Sequence, residues 1–98
     1  MANANVSLQV IPGARGTKEE LYTIVDEAIK VIAESGVKYE VGPMETTMEG
    51  DFDELMAIVK KAQDAVVAAG SDRVVSIIKV DYCPEGVTME EKVGKHRA

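Results

Sequence analysis

The stretch VKYEVGPMETTMEGD, Val37 to Asp51, decides the fold. Val37, Tyr39 and Val41 alternate with Lys38 and Glu40, the period-two pattern of a strand with one apolar face. Gly42-Pro43 interrupts it, and a second extended piece runs from Met44 to Glu49. Upstream, Thr17 with Glu20 fits a capping box, and Leu21, Ile24, Val25, Ala28 and Ile32 form a helical stripe that Gly36 ends. Downstream, Asp51 and Glu54 repeat the cap. Phe52, Leu55, Met56, Val59, Ala62 and Val66 repeat the stripe, and Gly70 repeats the stop. The outer segments, VSLQVI (Val6–Ile11) and RVVSIIKVDY (Arg73–Tyr82), are strand candidates, the second rich in β-branched residues. Two adjacent strands between two helices, with one further strand at each end, predict an α+β ferredoxin-like βαββαβ sandwich. Its sheet is four-stranded and antiparallel, with both helices on one face.

The chain has 98 residues, enough for a single domain over 1–98 and no second core. Apolar residues at 46% and charged residues at 29% mark a globular rather than a disordered composition. The net charge of −6 is the wrong sign for binding a phosphate backbone, so no nucleic-acid partner is expected. No apolar run reaches the roughly 18 residues of a membrane span, and the first residues lack a basic, apolar leader. A single cysteine, Cys83, excludes an internal disulfide. A cytoplasmic protein is expected.

A sheet covered on one side leaves the other open. In the last strand Val74, Ser76, Ile78 and Val80 share one face, and Val75, Ile77, Lys79 and Asp81 the other. If Ile78's face meets the helices, Val75 and Ile77 stay outside and forgo roughly 3–6 kcal/mol of burial. A second copy packing over them would recover it, which predicts a homo-oligomer. Two lone exposed aliphatics are the plainer alternative.

The densest polar cluster is Glu45-Thr46-Thr47-Met48-Glu49-Gly50-Asp51. Alternation puts Glu45, Thr47 and Glu49 on one face and Thr46 on the other. A carboxylate on a sheet can accept paired hydrogen bonds from a planar nitrogen ligand such as an aminopyrimidine, or attract a cation. Solvated glutamates and a helix-capping Asp51 explain the same residues without a ligand. Met44, Met48 and Met56 either line a soft pocket or fill the core. Arg15, in the loop before the first helix, resembles the anion-binding arginine of acylphosphatases. The asparagine that would position water is missing from the central strand, since Asn3 and Asn5 are the only asparagines. Cys83 has no histidine beside it to lower its pKa, and His96 stands alone near an end, Lys92 to Ala98, expected to fray. No enzyme machinery, metal site or cofactor is expected.

Tyr39-Glu40-Val41-Gly42-Pro43-Met44-Glu45-Thr46-Thr47-Met48-Glu49-Gly50-Asp51, with Asp53-Glu54-Leu55-Met56 after it, resembles the signature of the small thiamine-binding proteins. That signature is a tyrosine-bearing strand, Pro-Met, a Thr two residues on, and Glu-Gly-Asp opening the second helix. SLQVIPGA near the start and Met89-Glu90-Glu91-Lys92-Val93 near the end resemble the family as well. The resemblance implies a ferredoxin-like subunit that pairs through its open sheet face, as a dimer or a dimer of dimers. It also implies non-catalytic binding of thiamine or its hydroxymethylpyrimidine moiety at the joint, for carriage, buffering or sensing. The family's pocket positions carry over to Thr46, Thr47 and Glu49. Glu49 would accept from the pyrimidine amino group, and the Thr hydroxyls would satisfy ring nitrogens. Glu45 stands where the family usually has a small residue, so it either favours the cationic thiazolium or crowds the site. A structural or regulatory oligomer without a ligand is the alternative from another class, and an acylphosphatase-like hydrolase a third.

Overall fold

The computed structural model describes residues 2–13 and 16–97. The elements run β1 (Ala4–Pro12), α1 (Lys18–Glu34), β2 (Lys38–Val41), β3 (Thr46–Gly50), α2 (Phe52–Ala68), β4 (Val74–Tyr82), a short α3 (Met89–Val93) and a 3-10 turn (Gly94–His96). Local chemistry sets the two long helices. The Thr17 hydroxyl accepts from the Glu20 N–H at 3.2 Å and Asp51 accepts from the Glu54 N–H at 3.4 Å, each answering an orphan donor of the first turn. Gly36 and Gly70 follow the last turns with φ of 86° and 117°, a region that costs a side chain but not glycine.

The sheet order is β2-β3-β1-β4, antiparallel throughout, the ferredoxin-like arrangement expected from the element order. β1 and β4 pair over nine positions, from Ala4 opposite Tyr82 to Pro12 opposite Val74. Val6 and Leu8 of β1 and Met48 of β3 face the helices and meet Ala28 and Ile32 of α1 and Leu55, Val59, Ala62 and Val66 of α2. Ile58 completes the α2 face; the stripe read from sequence omits it. Ser76 donates to Gln63 of α2 at 2.6 Å, which fixes the even positions of β4 on the helix side. Val75 and Ile77 are therefore on the open side, 43% and 47% exposed.

The end of the chain differs from the expectation that Lys92 to Ala98 frays. Residues 89–96 form α3 and its 3-10 turn, and they are tied to the open face of the sheet. Thr88 and Glu91 make a complete capping box: Thr88 Oγ1 accepts from the Glu91 N–H, and Glu91 returns a carboxylate oxygen to the Thr88 N–H. Val87 and Met89 are buried. A five-residue helix is not stable alone, so side-chain contacts to the sheet hold it. No helix among the described residues is long and apolar enough to cross a membrane.

Candidate ligand-binding site

The four residues singled out on and beside β3 separate onto the two faces of the sheet, and the two faces hold different cavities. On the open face, a cavity of about 330 Å³ lies under α3, floored by Asn5, Ser7 and Thr47 and rimmed by Lys79, Asp81 and Lys92. Much of its polar floor is already paired. The Ser7 and Thr47 hydroxyls are 2.8 Å apart, joined across β1 and β3. The Lys92 ammonium donates to Asn5 Oδ1 at 2.7 Å and sits 2.6 Å from Asp81 Oδ2. Glu49 accepts from the Met89 N–H at 2.6 Å, so its carboxylate anchors the start of α3. Arg97 reaches back to Glu40 and Glu90. Opposite charges converge here, and each answers another.

The helix face is different. A cavity of about 360 Å³ lies between α1, β1 and the β2–β3 turn. Leu8, Val10, Val25, Ile29 and Ile32 make its walls, and Thr46, itself 5% exposed, is its buried hydroxyl-bearing residue. Asp26 and Tyr22 stand on the α1 side, with Pro43, Met44 and Glu45 opposite. No lysine, arginine or histidine is among the described residues that line it. Glu45 itself is tethered, since Lys79 Nζ lies 2.9 Å from its Oε1. This is the composition of a small-molecule pocket: apolar walls with a few polar groups to orient the occupant. With Glu45 held by Lys79, Asp26 is the lining carboxylate that would favour a cation or a hydrogen-bond donor.

The β2–β3 turn shapes the rim of this cavity. The Gly42 N–H donates to the Glu45 carbonyl at 2.8 Å, and a Cβ on Gly42 would lie 2.9 Å from that oxygen. Only glycine closes the turn this tightly, and the closure carries Pro43 and Met44 to the cavity mouth. The Pro-Met-Glu-Thr motif thus lines the helix-side cavity, whereas Thr47 and Glu49 lie across the sheet. Of the α1 contributors, Val25, Ala28 and Ile32 were read only as an apolar stripe, and Tyr22, Asp26 and Ile29 escaped the reading of the sequence. Tyr22, Val25, Asp26 and Ile29 follow the spacing of one helix face, a signal open to the same periodicity analysis. Arg15 lies outside the described residues. Among those described, no three His, Cys, Asp or Glu side chains gather as a metal site.

Comparison with known proteins bears on this motif directly. The family model described as thiamine-binding protein matches residues 6–97. The chain belongs to the thiamine-binding protein family. A UPF0045 protein of Clostridium perfringens, CPE1503, is 54% identical over 97 residues, covering 99% of this chain and all of that protein. Among solved structures, a domain of unknown function, DUF77, from Bacillus cereus superposes with a TM-score of 0.89 at 47% identity, covering 98% of this chain and 92% of that one. TM0486 of Thermotoga maritima, described as a candidate thiamine biosynthesis/salvage protein, superposes with a TM-score of 0.87 at 39% identity, covering 97% and 99%. In this thiamine-binding family member, Gly42 to Thr46 line the helix-side cavity.

Proposed function

We propose that the chain binds thiamine, or its hydroxymethylpyrimidine moiety, in the cavity between α1 and the sheet. It does so without turnover, in carriage, buffering or sensing of the vitamin. The observation that carries this reading is the meeting of apolar walls with the buried Thr46 and the Asp26 carboxylate, in a chain of the thiamine-binding family. A pyrimidine ring can slide between Val25, Ile29 and Leu8. Its amino group would donate to an acidic side chain, Asp26 being the nearest to hand on α1, and the Thr46 hydroxyl would bond a ring nitrogen. The thiazolium would lie toward Tyr22 and Met44, where an aromatic face and a thioether suit a soft cation. Desolvating the pyrimidine costs roughly 1–3 kcal/mol for each polar group left unpaired, so Thr46 and an acidic partner matter more than added apolar area.

The reading includes self-association. Ile11 lies beside Val75 on the open face, with Ile77 next along β4, and the three form an apolar patch that α3 leaves bare. A second copy laid over it would make a dimer, and Thr47 and Glu49 would then act at the joint rather than on the vitamin.

Thermal shift and calorimetry with thiamine and hydroxymethylpyrimidine test the ligand. An occupant at 100 times its dissociation constant adds about 2.7 kcal/mol of stability. Ala28→Leu adds three carbons at a cavity-lining residue that is 2% exposed, and it should abolish that shift while the fold persists. Thr46→Val should weaken binding about five- to tenfold, the worth of one hydrogen bond. A shift that survives Ala28→Leu but vanishes with Thr47→Val would move the site to the open face. No shift with either compound would leave the structural oligomer as the better account.

A further inference from the structure

Glu45 stands where the two faces of the sheet communicate. β3 pairs with β1 only as far as Thr46 opposite Leu8, whereas β1 runs on to Pro12. Beyond Thr46 the sheet therefore has a notch, bordered by Gln9 and Val10 of β1 and by the β2–β3 turn. Gln9, Val10 and Glu45 all line the helix-side cavity. A second hollow borders the same turn together with Glu40 and Thr47, which pair across β2 and β3 on the open face. Gly42 to Glu45 are common to the two hollows, and of these four residues Glu45 alone carries a charge. Its carboxylate is held on the open side, where Lys79 of β4 reaches across β1 to within 2.9 Å of Oε1.

That tether is weak. The Lys79 and Glu45 side chains are 67% and 32% exposed, and water screens a pair in such a setting, so its release shifts an equilibrium by roughly fivefold at most. A fixed positive charge arriving at the cavity mouth competes with the ammonium for the same carboxylate. It does so from a site walled by Leu8, Val10 and Val25, where charges attract more strongly than in open water. An uncharged occupant offers no such competition, and Glu45 then stays with Lys79.

We propose that Glu45 sets the preference of this cavity for the cationic vitamin over its neutral pyrimidine fragment, and that Lys79 governs Glu45 by holding its carboxylate on the open side until a cation reaches the mouth. This rests on the thiamine reading of the cavity and adds to it the choice between the two ligands. Near neutral pH the thiazolium of thiamine carries a permanent charge, whereas hydroxymethylpyrimidine carries none. The pyrimidine common to both meets Thr46 and Asp26 in either case, and only the thiazolium comes within reach of Glu45 through the notch. Lys79 is a positioning residue: it lies outside the cavity lining and acts through the carboxylate it holds.

Calorimetry with thiamine and with hydroxymethylpyrimidine tests this on the native chain, Glu45→Gln, Lys79→Gln and the double variant, with circular dichroism confirming the fold. The readout is the ratio of the two affinities, because a general loosening of the cavity weakens both ligands alike and leaves the ratio where it was. Glu45→Gln should lower the thiamine-to-pyrimidine ratio about fivefold, the worth of one partly exposed charge contact. Lys79→Gln should raise it about two- to fivefold in low salt and less in high salt. The double variant should match Glu45→Gln, since Lys79 has no other route to the ligand. An unchanged ratio in Glu45→Gln overturns the inference and leaves the thiamine site standing, as does a rise with Lys79→Gln that persists when Glu45 is already replaced. Should Glu45→Gln fail to fold, Lys79→Gln decides the matter, and a ratio that does not rise overturns the inference. A native chain that binds neither compound overturns the thiamine reading itself, and this inference with it.

Discussion

Replacing Glu49 by alanine separates a ligand contact from a structural one. In the structure its carboxylate accepts the Met89 N–H at 2.6 Å and so holds the first turn of α3 against β3. A charge-assisted bond of this kind contributes about 1.5–3 kcal/mol when buried, and Glu49 is half-buried, so about 1 kcal/mol is the expected loss. That loss falls on docking of the segment from Val87 onward. α3 is five residues long and has no stability of its own, so its amides report the docking equilibrium directly. A loss of 1 kcal/mol corresponds to roughly fivefold faster exchange in Met89–Val93, with the β1 core unchanged. Because only a peripheral unit opens, the melting temperature should move less than the 4–8 °C that 1 kcal/mol of global stability would give. Hydrogen exchange followed by mass spectrometry is the assay, with thiamine calorimetry beside it. Unaltered exchange in α3 together with lost thiamine affinity would refute the assignment and return Glu49 to the ligand.

Three further outcomes follow from the packing. Met48→Ala empties a fully buried β3 position between both helices and should cost about 2–5 kcal/mol in urea unfolding, a large share of the stability of so small a domain. Gly42→Ala forces a Cβ against the Glu45 carbonyl; a cost of about 1 kcal/mol should appear mainly as weaker ligand binding, measured by calorimetry, because the displaced turn carries Pro43 and Met44. Lys92→Met removes an ion pair whose two side chains are 40% and 51% exposed, and solvent screening keeps the stability change below about 1 kcal/mol. Differential scanning calorimetry should find Lys92→Met within a few degrees of the native chain. A larger fall would mean that the Asn5 contact, rather than the Asp81 pair, holds α3.

Most of the fold is legible because its signals are local. The caps at Thr17 and Asp51 and the glycine stops at 36 and 70 bracket the helices, and period-two runs in β1 and β4 orient their faces correctly. Thr17 shows how far the motif reaches: its hydroxyl takes the Glu20 N–H and donates to the Glu20 carboxylate at 3.2 Å, a variant of the reciprocal box. The full box occurs at Thr88 and Glu91, before a helix too short to show periodicity. The same motif marks that helix in the sequence, but its place on the sheet depends on Asn5, Glu49 and Asp81, up to 87 positions away. The site was legible only in part for a related reason. Alternation correctly sends Thr46 and Thr47 to opposite faces. The cavities on the two faces are closed by α1 on one side and by α3 on the other, elements distant in the chain from β3, and no local pattern encodes that packing.

β1 meets its longest partner in β4, the last of the described strands in chain order. During synthesis on the ribosome, Val6 and Leu8 can be flanked only by β3 until residue 82 has emerged, and the half-built sheet exposes backbone on a central strand instead of an edge. Until β4 joins it, that backbone is open to pairing with other chains. A frameshift or premature stop anywhere before β4 leaves a nascent product with its middle strand bare, a natural substrate for quality-control proteases.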